Sequence, residues 1–109
     1  MSRERVCAAF GGMAMYVAVL YETVEDFLQR RAPLRAEHLA LVERWHREGR
    51  LVWAGAFEPA DGALLIFRVN ALSEVEDFIR SDPYVRHGLI PAYRVRKWNV
   101  VVGGENAAS

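Results

Sequence analysis

The sequence predicts one α+β domain of element order β-α-β-β-α-β: a four-stranded antiparallel sheet with two helical segments on one face. Three observations predict it. "YVAVLY" (16–21) and "ALLIFRV" (63–69) are short, almost wholly apolar runs, the pattern of central strands. "RAEHLALVERWHREGRL" (35–51) repeats apolar residues at helical spacing. Between the strand-forming runs "LVWAGAF" (51–57) and 63–69 stands the turn signal "EPADG", ending in Asp61-Gly62, so those two runs should pair as a hairpin.

After the first strand, Thr23 with Asp26 three residues on resembles a capping arrangement. A short helix is expected near 24–31, interrupted by Pro33, and a longer one from about Leu34 to Glu48, stopped by Gly49. Past the hairpin, Ser73 and Glu76 form a capping box ahead of Val75, Phe78 and Ile79. That helix should end near Ser81, because Pro83 biases Asp82 away from helical geometry. "DPYVRHGLIP" is a compact connection, and "AYRVRKWNVVV" (92–102) the last strand, with a bulge expected near Lys97 where its alternation slips. With the first and third strands central, this is the ferredoxin-like arrangement. Two helices cover one face only. The uncovered face still carries apolar residues, which predicts a homodimer stacked sheet to sheet.

The 109 residues suit a single core. Fourteen basic and fourteen acidic residues cancel, which argues against nucleic acid or an anionic membrane surface as partner. No run approaches the roughly 18–20 apolar residues of a membrane span. Cys7 has no partner for an internal disulfide, and cytoplasmic location is the expectation. Residues 1–14 read as a flexible extension, 15–102 as the domain and 103–109 as a tail.

One residue of the long helix is out of place. With Leu34 at zero and 100° per residue, Leu41 falls at about −20°, Trp45 at about +20°, His38 at about +40° and Val42 at about +80°. His38 therefore sits inside the apolar stripe, with Arg35 on its edge and within i,i+3 reach. It is either a core histidine bonded to a backbone carbonyl or an imidazole at the bottom of a pocket, where an acid partner holds it ready for proton transfer. Asp82 is the carboxylate placed to be that partner, since both helices pack on the same side of the sheet. An Asx turn or helix-end bond explains Asp82 equally well. Trp45 and Trp53 are expected in the core. His46 should flank the pocket edge or face solvent, and Arg94 and Arg96 should face solvent or a second copy. His38 and His46 are about 80° apart on the helix, which is not metal-site spacing, so no metal is expected.

"RAEHL" (35–39), "EGRLVWAG" (48–55) and "DPYVRHGL" (82–89) resemble the YciI-like, or YCII-related, family, and "MYVAVLY" (15–21) fits its usual start. The resemblance covers roughly residues 15–101 and implies a ferredoxin-like α+β fold, a dimer of the dimeric α/β-barrel type and a small pocket holding a His–Asp pair. Matched position by position, the pair is His38 and Asp82. Arg35 precedes the histidine, Pro83 and Tyr84 shape the aspartate turn, and Gly55 follows the second strand where bare backbone approaches a ligand. One member type is a dehydrochlorinase acting on a chlorinated hydroxyquinol. The short hairpin "FEPADGALLIF" and His87 depart from other members, so pocket size and substrate do not carry over.

The expected function is a cofactor-free lyase- or isomerase-like enzyme acting on a small molecule. His38 and Asp82 are its catalytic pair, and Arg35, Gly55 and Tyr84 its substrate-binding residues. No cofactor is implied, since there is no phosphate-cradling or nicotinamide fingerprint. The alternative is a non-catalytic protein that binds a small metabolite or acts through its dimer surface.

Overall fold

A computed structural model describes residues 14–103. Cys7 and nearly all of the predicted extension and tail lie outside the described residues. The elements are β1 (Met15–Glu22), the single turn α1 (Phe27–Arg30), a 3-10 turn (Ala32–Leu34), α2 (Arg35–Arg47), β2 (Leu51–Ala56), β3 (Gly62–Val69), α3 (Leu72–Ser81), the single turn α4 (Pro83–Arg86) and β4 (Ala92–Trp98). The strands form one antiparallel sheet in the order β2-β3-β1-β4. The two most apolar runs are thus its central pair, with the helices on one side. This is the predicted ferredoxin-like α+β fold. Among the described residues no helix is long and apolar enough to cross a membrane.

The core lies between sheet and helices. Val17 and Val19 of β1, Leu65 and Phe67 of β3, and Val75 and Phe78 of α3 are all buried. α2 contributes Leu41 and Trp45 to the same cluster. Trp45, Phe67 and Phe78 meet edge to face, with ring centroids 5.2 Å apart for Trp45–Phe78 and 5.1 Å for Phe67–Phe78. Such pairs add about 0.5–1.5 kcal/mol to what burial alone contributes.

Local chemistry accounts for most boundaries. Gly49, at φ +80°, closes α2 as predicted: its N–H reaches the His46 carbonyl at 2.9 Å, and the Arg50 N–H reaches the Trp45 carbonyl at 3.0 Å. Gly62 opens β3 where a Cβ would stand 2.8 Å from the Tyr21 carbonyl oxygen, so this strand pairing excludes a side chain there.

Four predicted details are corrected. The Thr23 hydroxyl donates to the Ala60 carbonyl instead of capping a helix, and α1 begins only at Phe27 with no side-chain cap from Asp26. α3 begins at Leu72, and its reach-back carboxylate is Glu74, which accepts the N–H groups of Asn70 at 2.9 Å and Ala71 at 3.2 Å. The Ser73–Glu76 box therefore lies inside the helix, because Glu74 already satisfies the donors at its start. β4 stops at Trp98, opposite Tyr16, because β1 has almost no residues left to pair with it. The bulge expected at Lys97 occurs instead in β2.

That bulge has consequences for the site. Leu51 pairs with Phe67 and Trp53 with Ile66, so Val52 is an extra residue in β2. Unbroken alternation would place Trp53 inside with Leu51. The bulge turns Trp53 onto the uncovered face, where it is 64% exposed, rather than into the predicted core. It also puts the small Ala54 and Ala56 opposite Leu65 and Ala63 on the helix side.

Candidate functional site

Asp82 occupies the junction between α3 and α4. Pro83 keeps it extended, at φ −71° and ψ 118°, so the chain turns sharply there. Its Oδ1 accepts the Tyr84 backbone N–H at 3.0 Å, which is an Asx turn and caps α4. Gly88, at φ +79°, ends α4 and lets the Leu89 N–H bond the Tyr84 carbonyl at 2.9 Å. The two ends of this single turn fix Tyr84, whose ring is buried.

The Asp82 side chain is fully buried, and three donors converge on it. Besides the Tyr84 N–H, the Tyr21 hydroxyl donates to Oδ2 at 2.8 Å, and His38 Nδ1 stands 2.8 Å from Oδ1. The two readings of Asp82 are therefore not exclusive: one carboxylate both caps a turn and meets the imidazole. As a carboxylate it only accepts, which places the His38 proton on Nδ1 and leaves Nε2 as the nitrogen without a partner among the described residues. The His38 ring stacks on Tyr84 at 3.9 Å between centroids with 13° between planes. One rotatable side chain is thus held by a hydrogen bond at its edge and a ring on its face.

His38 and Tyr84 border a cavity of about 180 Å³ between α2 and the β2–β3 side of the sheet. Phe27, Leu39, Val42 and Leu65 give it apolar walls, while the small Ala54 and Ala56 keep the sheet side shallow and Gly55 between them also lines it. Gly55 lies within β2 rather than after it, and nothing stands within 4 Å of where its Cβ would be. Arg35 lines the cavity from the start of α2. All five residues predicted from the sequence are therefore brought together, four around the cavity and Asp82 directly behind His38.

Sequence reasoning missed two further members, Tyr21 and Arg31. Tyr21 had a readable signal. Alternation along β1 puts it on the face of Val17 and Val19, and a buried tyrosine needs a partner for its hydroxyl. Arg31 had none, because the 3-10 turn that aims it was not predicted.

Burial pushes the Tyr21 hydroxyl far above the usual tyrosine pKa, and the Asp82 charge and hydrogen bond push it the same way. Tyr21 is thus a fixed donor to Asp82. Burial also raises Tyr84, opposed by the Arg31 and Arg35 charges beside it. The Tyr84 hydroxyl is enclosed, with the Arg35 guanidinium beside it.

The other histidines stand apart. His46 Nδ1 lies 2.8 Å from the Leu51 carbonyl, which ties the end of α2 to β2, and His87 is exposed past α4. Trp45 is buried as predicted, while Arg94 and Arg96 are exposed on the uncovered face of the sheet. Among the described residues no group of three or more His, Cys, Asp or Glu side chains is placed to hold a metal ion.

Comparison with known proteins agrees with the fold. The chain is 27% identical over 97 residues to "Protein YciI" of Escherichia coli O6:H1, covering 80% of this chain and 99% of the relative. It is similar in structure to the 5-chloro-2-hydroxyhydroquinone dehydrochlorinase of Burkholderia phenoliruptrix, solved in complex with 2,5-dihydroxybenzoquinone. The TM-score is 0.68 at 25% identity, over 77% of this chain and 93% of that one. A NIPSNAP family protein from Agrobacterium tumefaciens shares the fold, with a TM-score of 0.56 at 13% identity over 88% and 90% of the two chains. The model of the YCII-related domain matches residues 15–99, and the chain belongs to that family.

Proposed function

We propose that the chain is a cofactor-free enzyme in which His38 moves a proton on a small molecule held in the cavity, in a lyase- or isomerase-like reaction. The observation that carries this reading is the 2.8 Å contact of His38 Nδ1 with a fully buried Asp82, behind a cavity that His38 borders. Asp82 fixes the tautomer and stabilises the imidazolium that forms once Nε2 takes a proton. Tyr21 holds Asp82 from its other oxygen. Arg35 supplies positive charge for an oxygen that turns enolate-like as a neighbouring C–H loses its proton. The structural neighbour is a dehydrochlorinase, a name that denotes elimination of a proton with chloride, and it supports lyase chemistry at such a site.

The test is turnover or solvent-deuterium exchange across a panel of hydroxylated aromatics and lactones. His38→Ala and Asp82→Asn should each lower the rate by about 10²–10⁴-fold while circular dichroism shows the fold retained, Asp82→Asn at a lowered melting temperature because three donors lose their carboxylate. Equal rates in the variants refute the catalytic role. The second reading is a binding protein in which the same network only shapes the cavity. Its support is that Asp82 also caps α4, a structural duty sufficient in itself. Ligand binding without exchange or turnover would select it.

The uncovered sheet face supports the homodimer. Leu20, Leu64 and Ile66 form its apolar centre, and Trp53 and Trp98 stand exposed at 64% and 45%. Sedimentation velocity should give a dimer for the wild type and a monomer for Trp53→Arg.

A further inference from the structure

We propose that the cavity is built to take a planar, single-ring carboxylic acid as its anion, with the carboxylate held by Arg31 and Arg35. This rests on the proposed small-molecule site and names the chemistry of its ligand.

The first observation is the wall itself. Tyr84 is only 3% exposed and lines the cavity, while its hydroxyl is enclosed beside the Arg35 guanidinium, so the polar surface offered to a ligand on this side is that of the arginines. The second is charge. Arg31 and Arg35 both line the cavity and both act on the Tyr84 hydroxyl, while no carboxylate lines it. Neither arginine forms an ion pair among the described residues, in contrast to Arg30, Arg50, Arg80 and Arg86. Two cations four residues apart on one side of a cavity repel each other, and an anion between them removes that cost.

The third is shape. The Phe27 ring and the stacked His38–Tyr84 pair present flat aromatic surfaces. A volume of about 180 Å³ suits one ring, since benzene fills a cavity of about 150 Å³. The choice of a carboxylate over a ring-borne oxygen follows from the donor set. Two guanidinium groups offer more N–H groups than one oxygen accepts, whereas a carboxylate has two oxygens and about four acceptor positions.

The experiment is a titration of the full chain with benzoate, benzamide and 4-nitrophenolate, followed by calorimetry and by the His38 imidazole resonances in NMR. Benzoate should bind, shift the His38 signals and bind at least about tenfold tighter than neutral benzamide and than the single-oxygen anion. Arg31→Gln should weaken benzoate about tenfold and leave benzamide unchanged, and Arg35→Gln should do the same. No benzoate binding, equal binding of benzoate and benzamide, tighter binding of 4-nitrophenolate, or binding that leaves His38 undisturbed each overturns the proposal. None of these outcomes touches the proton-exchange test of His38 and Asp82, so the ligand assignment can fail while the catalytic reading stands.

Discussion

The two halves of α2 solve the same problem differently. Toward its C-terminal end, Trp45 meets Phe67 and Phe78 edge to face, and the space between helix and sheet is filled with aromatic carbon. Two turns earlier, His38 takes the equivalent place on the stripe, and the space is divided between a polar network on Asp82 and an open cavity. The first half spends its position on stability. The second gives up contacts: Leu39 and Val42 border a cavity, and the small Ala54 and Ala56 leave the opposite wall shallow. A continuous apolar stripe thus hides a division of labour, and one imidazole marks where it changes.

The sharpest way to break this comparison is to make the packed half hollow. Phe78→Ala removes a fully buried ring that touches both Trp45 and Phe67. It should cost about 3–5 kcal/mol, a large share of the stability of a domain this size, as read from urea unfolding. Leu39, on the α2 wall of the cavity, is expected to bear truncation far better, because the space it would leave is already open. Leu39→Ala, at a side chain 39% exposed, should cost less than about 1 kcal/mol. Equal costs at the two positions would mean the halves are not energetically distinct.

The polar network gives the next largest effect. Tyr21→Phe removes a charge-assisted hydrogen bond to a fully buried carboxylate and should cost about 1.5–3 kcal/mol. It also carries a pH signature. The folded chain holds the Tyr21 proton far above the ordinary tyrosine value of 10.0, whereas the unfolded chain releases it near that value. Above pH 10 the native state therefore binds more protons than the unfolded one. The stabilisation, complete below that pH, is lost as pH rises, at about 1.4 kcal/mol per pH unit for this group. Unfolding free energies between pH 8 and 11 should fall for the wild type and fall less steeply for Tyr21→Phe. Tyr84, shifted in the same direction, accounts for the slope that remains.

How much of this was legible follows from which interactions are local. The strand order and the central pair were readable because burial on both faces writes itself as an apolar run, as in β3. Gly49 was readable because a helix end needs a positive φ at one defined position. His38 stood out as a polar residue on an apolar stripe, and Asp82 because Pro83 restricts the residue before it. The failures are competitive. Thr23 had the chemistry to cap a helix, but the Ala60 carbonyl on a distant loop took its hydroxyl. Ser73 and Glu76 matched a capping pattern, but Glu74, two residues before Glu76, took the N–H groups of Asn70 and Ala71 and the helix began at Leu72. Trp53 was misplaced because a bulge changes face parity without changing composition. Arg31 and the emptiness of the cavity depend on three elements meeting, which no single stretch encodes.

The smallest expected effect concerns the surface link between the two elements that hold the site. Arg86 of α4 and Glu37 of α2 form an ion pair at 2.7 Å, with the side chains 45% and 61% exposed. Its position suggests a clamp across the His38–Asp82 contact, but its exposure argues otherwise. In water of high dielectric the attraction is offset by the ordering of two long side chains and is screened by salt, so such a pair contributes about 0.2–1 kcal/mol. Glu37→Gln and Arg86→Gln, alone and combined, should give a coupling energy within that range that shrinks further in 0.5 M salt. The buried contact at 2.8 Å, with a third and fourth group fixing its carboxylate, positions α4 without the surface pair. A coupling above about 1.5 kcal/mol, or one insensitive to salt, would move the anchor of the site from its buried centre to its rim.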